Sequence, residues 1–215
     1  MKIIECVQGT DEWKAHRAMK VTSSNITDVL SRDKTGKGEG TTRRNYKARI
    51  VCEILTGKSM EGGYQSQAMT DGIEKEPAAR IAYEALKGEF VTQVGIVVHE
   101  REDRYSCSPD GLIGEGGVYQ GQIQIKCPIP AIHIGYLMAG VVPTEYQPQM
   151  QSEMACTGLP WSDFVSYCPD LPPPLQLFVV RLPRDEKRIK EIDAEVKVFL
   201  EEVDDLVERL RQKAA

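Results

Sequence analysis

Ser108-Pro109-Asp110-Gly111-Leu112, followed after a turn by Gln122-Ile123-Gln124-Ile125-Lys126-Cys127-Pro128, is the stretch whose reading decides both fold and chemistry. Asp110 stands near the end of one extended segment. Gln124 and Lys126 alternate along a second, so the two-residue period of a strand turns both side chains to one face, where the aspartate can meet them. Hydrolysis of a phosphodiester requires an anionic pocket for a hard divalent cation. It also requires a fixed positive charge near the attacking water or the scissile phosphate. Asp110 and Lys126 suit those two tasks. The position two before the lysine should carry a second carboxylate, and here it carries Gln124, the same shape as Glu but uncharged.

Working outward, residues 10 to 30 read as two short helices, capped first by Thr10 or Asp11 and then by Thr22, Ser23 or Ser24 after a hydroxyl-rich turn at Val21-Thr22. Residues 31 to 42 are rich in Gly and charge, which predicts a mobile loop. Arg32, Lys34, Lys37, Arg43, Arg44, Lys47 and Arg49 cluster around it, as a solvated helix start or a surface that tracks phosphates. Helical spacing runs from residue 43 to 55, with Tyr46, Ile50, Val51, Ile54 and Leu55 as its stripe and Gly57 as its stop. A second helix is predicted over 66–87, with Ile73, Pro77, Ala78, Ile81, Ala82 and Leu86 in register. Pro77 marks a kink or break near Lys75-Glu76, and Gly88 the end.

Extended stretches follow at 90–99, 105–108 and 118–126, with Glu115-Gly116-Gly117 as turn chemistry before the last. Then come helices near 131–138 and 147–156, strands at 163–167 and 175–182, and a long helix from about Asp185. The apolar face of that helix, from Ile189 to Leu210, reads as packing against its own sheet or as a protomer contact. The consistent architecture is an α/β fold in which helices flank a mixed sheet of about five strands. A chain of 215 residues suits one domain of that kind: a helical N-terminal part at about 10–87, a catalytic sheet at about 90–182 and a C-terminal helix at about 185–211.

Composition narrows the class. No apolar run approaches a membrane span, and the first residues lack a signal peptide's apolar core, so a cytoplasmic protein with no membrane contact is expected. The six cysteines show no Cys-x-x-Cys spacing and predict packed, reduced thiols. A net charge of −5 argues against an overall basic nucleic-acid binder, though DNA in a channel needs only a local positive surface. Gly57-Lys58-Ser59 mimics the end of a phosphate-binding loop, but Cys52 stands where that loop needs glycine. Gly36-Lys37-Gly38-Glu39-Gly40 has no strand before it and fails as a dinucleotide fingerprint. His16, His99 and His133 are scattered, which removes a histidine-metal or Ser-His-Asp account.

Five ordered blocks resemble the lambda-type viral (phage) exonucleases, also called alkaline exonucleases, within the PD-(D/E)XK nuclease superfamily. They are Gln8-Gly9-x-x-x-Trp13-x-x-x-Arg17 with Val21-Thr22-x-Ser24, then Gly72-x-x-x-Glu76-x-x-Ala79-Arg80, the Ser108 to Leu112 block, Ile125-Lys126-Cys127-Pro128, and Tyr146-x-x-Gln149-x-Gln151. The resemblance implies a restriction-endonuclease-like core. It also implies Mg²⁺, with Mn²⁺ as a substitute, held by Asp110, Gln124, the Ile125 carbonyl and Glu76. Lys126 would orient or deprotonate the attacking water, with Gln149 beside the site. Arg17, Ser24 and Ser108 match a pocket for a 5′-phosphate, and Tyr146 would stack on DNA or donate a hydrogen bond to it. Trp13 reads as core.

The implied activity is 5′→3′ digestion of one strand of double-stranded DNA to mononucleotides, leaving a 3′ single strand for recombination. A homotrimeric ring, a single-strand annealing protein as partner, and a phage or prophage origin in a bacterial host come with the same resemblance. Two accounts of Gln124 stand open. Either it is native and Glu76, Asp110 or Glu115 carries the charge, or it replaces a glutamate in an impaired form that holds DNA uncut. The rival functions are a structure-selective or restriction-type endonuclease on the same core, and a non-cleaving DNA-end-binding scaffold for recombination.

Overall fold

The structure, a computed structural model, describes residues 1–61 and 67–214, with backbone alone for 67–69. The chain opens with strand β1 (Lys2–Ile4) and helix α1 (Asp11–Arg17), whose Thr10 cap accepts from the Trp13 N–H. Val21-Thr22 is not the expected turn: it forms β2 (Val21–Thr22), paired in parallel with the Tyr105–Cys107 strand. A 3₁₀ turn (Ser23–Asn25) and the one-turn α2 (Ile26–Val29) follow, so the second short helix begins later than its hydroxyl residues suggest. Residues 31–40 form an irregular turn closed by an Arg32–Glu39 bridge.

Helix α3 (Thr41–Thr56) ends at Gly57, whose positive φ of 67° and N–H bond to the Glu53 carbonyl are a left-handed cap. Helix α4 (Gln67–Lys87) runs through Pro77 without a break, and the expected first residue, Ser66, lies outside the described residues. Pro77 is exposed, so the carbonyl its missing N–H leaves free faces the solvent side. The expected apolar stripe of α4 is on the wrong side: Ile73, Ile81 and Leu86 are exposed, while Ala79 and Tyr83 are fully buried. Helical spacing allowed either face, and contact with the sheet decided between them.

The single extended stretch expected at 90–99 divides into β3 (Val91–Thr92) and β4 (Ile96–Val98), which enter different sheets. After β5 (Tyr105–Cys107), β6 (Gly111–Glu115) and β7 (Val118–Lys126) form a hairpin across Gly116 and Gly117, both at positive φ as a tight turn requires. Asp110 therefore stands immediately before β6 rather than at the end of the preceding segment. Helices α5 (Pro130–Ala139) and α6 (Gln147–Thr157), strands β8 (Trp161–Tyr167) and β9 (Leu177–Pro183), and helix α7 (Glu186–Ala214) complete the chain.

The expected mixed sheet is present in the order β3-β6-β7-β8-β9, with β7 and β8 parallel and the other neighbours antiparallel. A second sheet, β1-β4-β5-β2, was not anticipated; its strands are two or three residues long. On β7, residues 121 to 125 are all buried, because helices cover both faces. Ala79 and Tyr83 of α4 pack with Ile123 and Ile125 on one face, while Glu153 and Thr157 of α6 bond Gln122 on the other.

Helix α7 buries Ile189, Ile192, Val196, Phe199, Leu200, Val203 and Val207. It is core rather than a protomer contact, but it packs mainly on α3 and α6 and not on the central sheet. The basic cluster joins it there. Arg43, 2 % exposed, reaches Glu202 at 2.9 Å and Glu195 at 3.7 Å, and Lys47 pairs with Glu39 and Glu202. Those two cations are therefore neither solvated nor free for phosphate. All six cysteines are free. Among the described residues no helix is long and apolar enough to cross a membrane.

Candidate active site

Four elements converge on one cleft of about 430 Å³, lined among others by Glu76, Asp110, Ile125, Lys126, Cys127 and Tyr146. Asp110 reaches it because Gly111 lets β6 sit tight: a Cβ on Gly111 would lie 2.1 Å from Val91 and 3.3 Å from Ile123. The Asp110 carboxylate Oδ2 accepts from the Ile125 N–H at 2.6 Å and from Gln124 Nε2 at 2.5 Å. It is thus held by the next strand. Because the N–H and C=O of one residue leave a strand on the same side, the Ile125 carbonyl also faces the Asp110 edge.

Glu76 is brought in by α4, which Tyr83 anchors to the sheet by donating to Asp163 at 2.9 Å; Asp163, 1 % exposed, is also gripped by Arg181. Arg80 bonds Glu76 at 2.7 Å and the Asp110 carbonyl at 3.4 Å, so one guanidinium ties α4 to the start of β6. Burial, then the nearby Asp110 charge, pushes the Glu76 carboxyl up to about 7. Burial likewise raises Asp110, against the pull of Lys126. The Lys126 ammonium lies 5.2 Å from the centre of the Tyr146 ring, a cation–π contact that keeps it over the cleft. Tyr146 itself stacks on Phe164 and bonds Tyr136, so its ring supports the lysine. Burial pushes the Cys127 thiol up to about 11, which leaves it protonated and a poor ligand at neutral pH.

Gln124 is buried, and its amide has a direction. Its NH₂ faces Asp110, and its oxygen accepts from Gln149 Nε2 at 2.7 Å. The same Gln149 nitrogen donates to Glu153 at 2.9 Å, and Gln122 donates to the other Glu153 oxygen at 3.3 Å. Burial, then the Asp110 charge, pushes the Glu153 carboxyl up to about 8. Sequence reading missed Glu153; a glutamate four residues after Gln149 on one helical face was the available signal.

A second cluster lies around Arg17. Its guanidinium bonds Ser24 Oγ at 3.2 Å, lies 4.1 Å from the centre of the Trp13 ring, and forks onto Glu61 at 2.8 and 3.0 Å. The Trp13 indole N–H donates to Ser108 Oγ at 2.9 Å. Trp13 is therefore a half-buried bracket between Arg17 and Ser108, not a core side chain. Arg17, Ser24 and Ser108 come together as expected, whereas Glu61, unanticipated, occupies the guanidinium fork.

Among the described residues no three His, Cys, Asp or Glu side chains form a ready metal cage. The donor set still fits Mg²⁺, which is commonly held by one or two carboxylates with waters and substrate phosphates. Asp110 and Glu76 are two mutually repelling carboxylates on one cleft, an arrangement that a divalent cation relieves.

The YqaJ-like viral recombinase domain family matches residues 12–160. Two crystal structures of LHK-Exo, an alkaline exonuclease from Laribacter hongkongensis, one of them in complex with dAMP, are 41 % identical. Each covers 95 % of this chain and 98 % of that one, with a TM-score of 0.85. A phage-related exonuclease from Haemophilus somnus shares the fold at 17 % identity and a TM-score of 0.65, over 89 % of this chain and 96 % of that one. No curated protein matches the chain.

Proposed function

The chain belongs to the YqaJ-like viral recombinase domain family, and from that premise we propose that it is a Mg²⁺-dependent exonuclease that digests one strand of double-stranded DNA from its 5′ end. The observation that carries the reading is the single cleft in which Asp110, Glu76 and Lys126 meet, with Asp110 fixed by the β7 backbone. Asp110, Glu76 and the Ile125 carbonyl would hold Mg²⁺; Gln124, expected as a ligand, turns its NH₂ rather than its oxygen to Asp110 and would ligate only with its amide turned over. When bound, that ion supplies Lewis-acid polarisation of the phosphate and a lowered water pKa. Lys126 holds the attacking water by hydrogen bonding and offsets phosphate charge. Gln149 orients Gln124 from behind.

Arg17, Ser24 and Ser108 would grip the terminal 5′-phosphate, with Glu61 displaced from the guanidinium. Tyr146 acts through Lys126 rather than by stacking on a base. The products are mononucleotides and a 3′ single strand, which an annealing protein would take over in recombination. A closed ring of three copies would keep the duplex captive. The setting is the cytoplasm of a host carrying a phage or prophage, and Mn²⁺ would substitute for Mg²⁺.

Mg²⁺-dependent release of mononucleotides from linear duplexes, faster with 5′-phosphate than with 5′-hydroxyl ends and absent on closed circles, tests the reading. Cleavage of closed circles would point instead to an endonuclease on the same core. A second reading, a non-cleaving end binder, is favoured by the Gln124 NH₂ that faces Asp110 where a carboxylate would otherwise stand. Gln124→Glu separates the two: digestion rising at least roughly tenfold marks an impaired nuclease, as expected when a metal site regains a charged ligand. Equal rates would reject impairment at that position. Light scattering that gave the mass of one chain would remove the ring.

A further inference from the structure

We propose that Glu153 is a positioning residue that supplies the cation site with the negative charge Gln124 lacks, acting through the Gln149 amide. This rests on the cleft being a cation-assisted nuclease site. Glu153 lies on α6 one turn beyond Gln149 and is 1 % exposed. Among the described residues its oxygens are held by amide N–H groups, Gln149 Nε2 on one at 2.9 Å and Gln122 Nε2 on the other at 3.3 Å. Thr157 pins Gln122 in turn, by donating to its carbonyl oxygen at 2.7 Å. A buried carboxylate with no ion-pair partner is destabilising, and it is best retained where a cation arrives to compensate it.

The geometry points to the cleft as that place. Gln149 Nε2 bridges Glu153 and the Gln124 oxygen, and the Gln124 NH₂ ends on Asp110, so the two carboxylates bracket one continuous chain of amides. The line from Gln124 to Glu153 runs through one half-buried side chain, Gln149, by direct hydrogen bonds, and a charge acting over so short a path in a partly desolvated setting is less screened than one at the surface. The Asp110 charge, after burial, helps to push the Glu153 carboxyl up, in keeping with that geometry. A strand glutamate at position 124 would place the charge directly on the site. Here the charge is one amide further back, on the helix that covers the same face.

The test is calorimetric titration of the metal-stripped full chain with Mg²⁺ alone, without DNA, at about pH 9, where the Glu153 carboxyl is ionised. Glu153→Gln is expected to raise the Mg²⁺ dissociation constant roughly tenfold or more, the scale of one unit charge acting on a divalent ion in a partly screened interior. The difference from the parent should shrink at about pH 6, where the Glu153 carboxyl holds its proton, whereas a purely structural role would weaken binding alike at both pH values. The double variant Gln124→Glu/Glu153→Gln, which keeps the total charge, should bind Mg²⁺ at least as tightly as the parent, since one unit charge is moved nearer to the ion.

Unchanged Mg²⁺ affinity in Glu153→Gln, while Gln124→Glu binds well, overturns the assignment and leaves the nuclease reading standing. Absence of Mg²⁺ binding by the parent and by Gln124→Glu alike removes both. Should Glu153→Gln not fold alone, the substitution is made on Gln124→Glu, where a roughly tenfold weakening is expected and equal affinity overturns the proposal.

Discussion

Asp110 is asked to remain charged in a place that disfavours charge, and its neighbours show how that is arranged. The Ile125 N–H and the Gln124 amide stabilise the carboxylate, Lys126 attracts it, and burial works against all three. Lys126→Met should therefore lower the digestion rate by roughly a hundredfold or more, the range for a lost proton-handling group. It should leave 5′-phosphate binding near that of the parent, and single-turnover rates beside end-binding titrations would separate the two.

The two raised glutamates make a pH prediction. Glu76 and Glu153 bind their protons more tightly in the folded protein than the ordinary carboxyl at 4.5, up to about 7 and about 8. The folded state thus holds more protons than the unfolded one in that window, so metal-free stability falls as pH rises from about 4.5 to about 8. Calorimetric melting in chelator at about pH 5 and about pH 8.5 checks the sign, and a more stable protein at the higher pH would contradict it.

Elements carry the site to its place, and two of them do so through unusual contacts. Gly111 is needed because β3 passes where its Cβ would be, not because of a left-handed backbone. Gly111→Ala should cost about 1–3 kcal/mol in urea unfolding, as overpacking does, and weaken Mg²⁺ binding by shifting Asp110. Helix α1 places Arg17 where a terminal phosphate could bind, but Glu61 already fills the fork. With Glu61→Gln the guanidinium keeps its position and loses its charged competitor. Phosphorylated ends should then bind several-fold more tightly than to the parent, by about 1 kcal/mol, and hydroxyl ends unchanged. Weaker binding of phosphorylated ends would mean that Glu61 positions Arg17 rather than competing for it.

Over the whole molecule, α7 is the long-range fastener. Phe199 stacks on Tyr46 with ring centres 5.4 Å apart and lies under the Arg43 guanidinium at 5.0 Å, so one side chain joins α3, α7 and an ion-pair cluster. Phe199→Ala should cost about 3–5 kcal/mol, and the measured loss in urea should exceed that of any exposed α7 substitution. Because this core lies behind the short-stranded sheet and not against the cleft, the variant that remains folded should keep its Mg²⁺ affinity.

Much of the cleft was legible residue by residue. Asp110 and Lys126 carry chemistry that local spacing can place, Glu76 and Gln149 were reached only through the family resemblance, and the hairpin glycines, the helix stops and the strand run 118–126 follow from backbone preferences. Partners distant in the chain were not legible. Glu153 and Glu61 look like ordinary helical or loop acids until packing sets them beside Gln149 and Arg17. The two- and three-residue strands of the second sheet are too short to show a period, and α4 could present either of two faces. The sequence by itself determined which groups are available and the elements that bear them, because dihedral preference and periodicity act over a few residues. Only the tertiary structure decided which faces meet and which charges share one buried volume, because those depend on desolvation and packing between segments far apart in the chain.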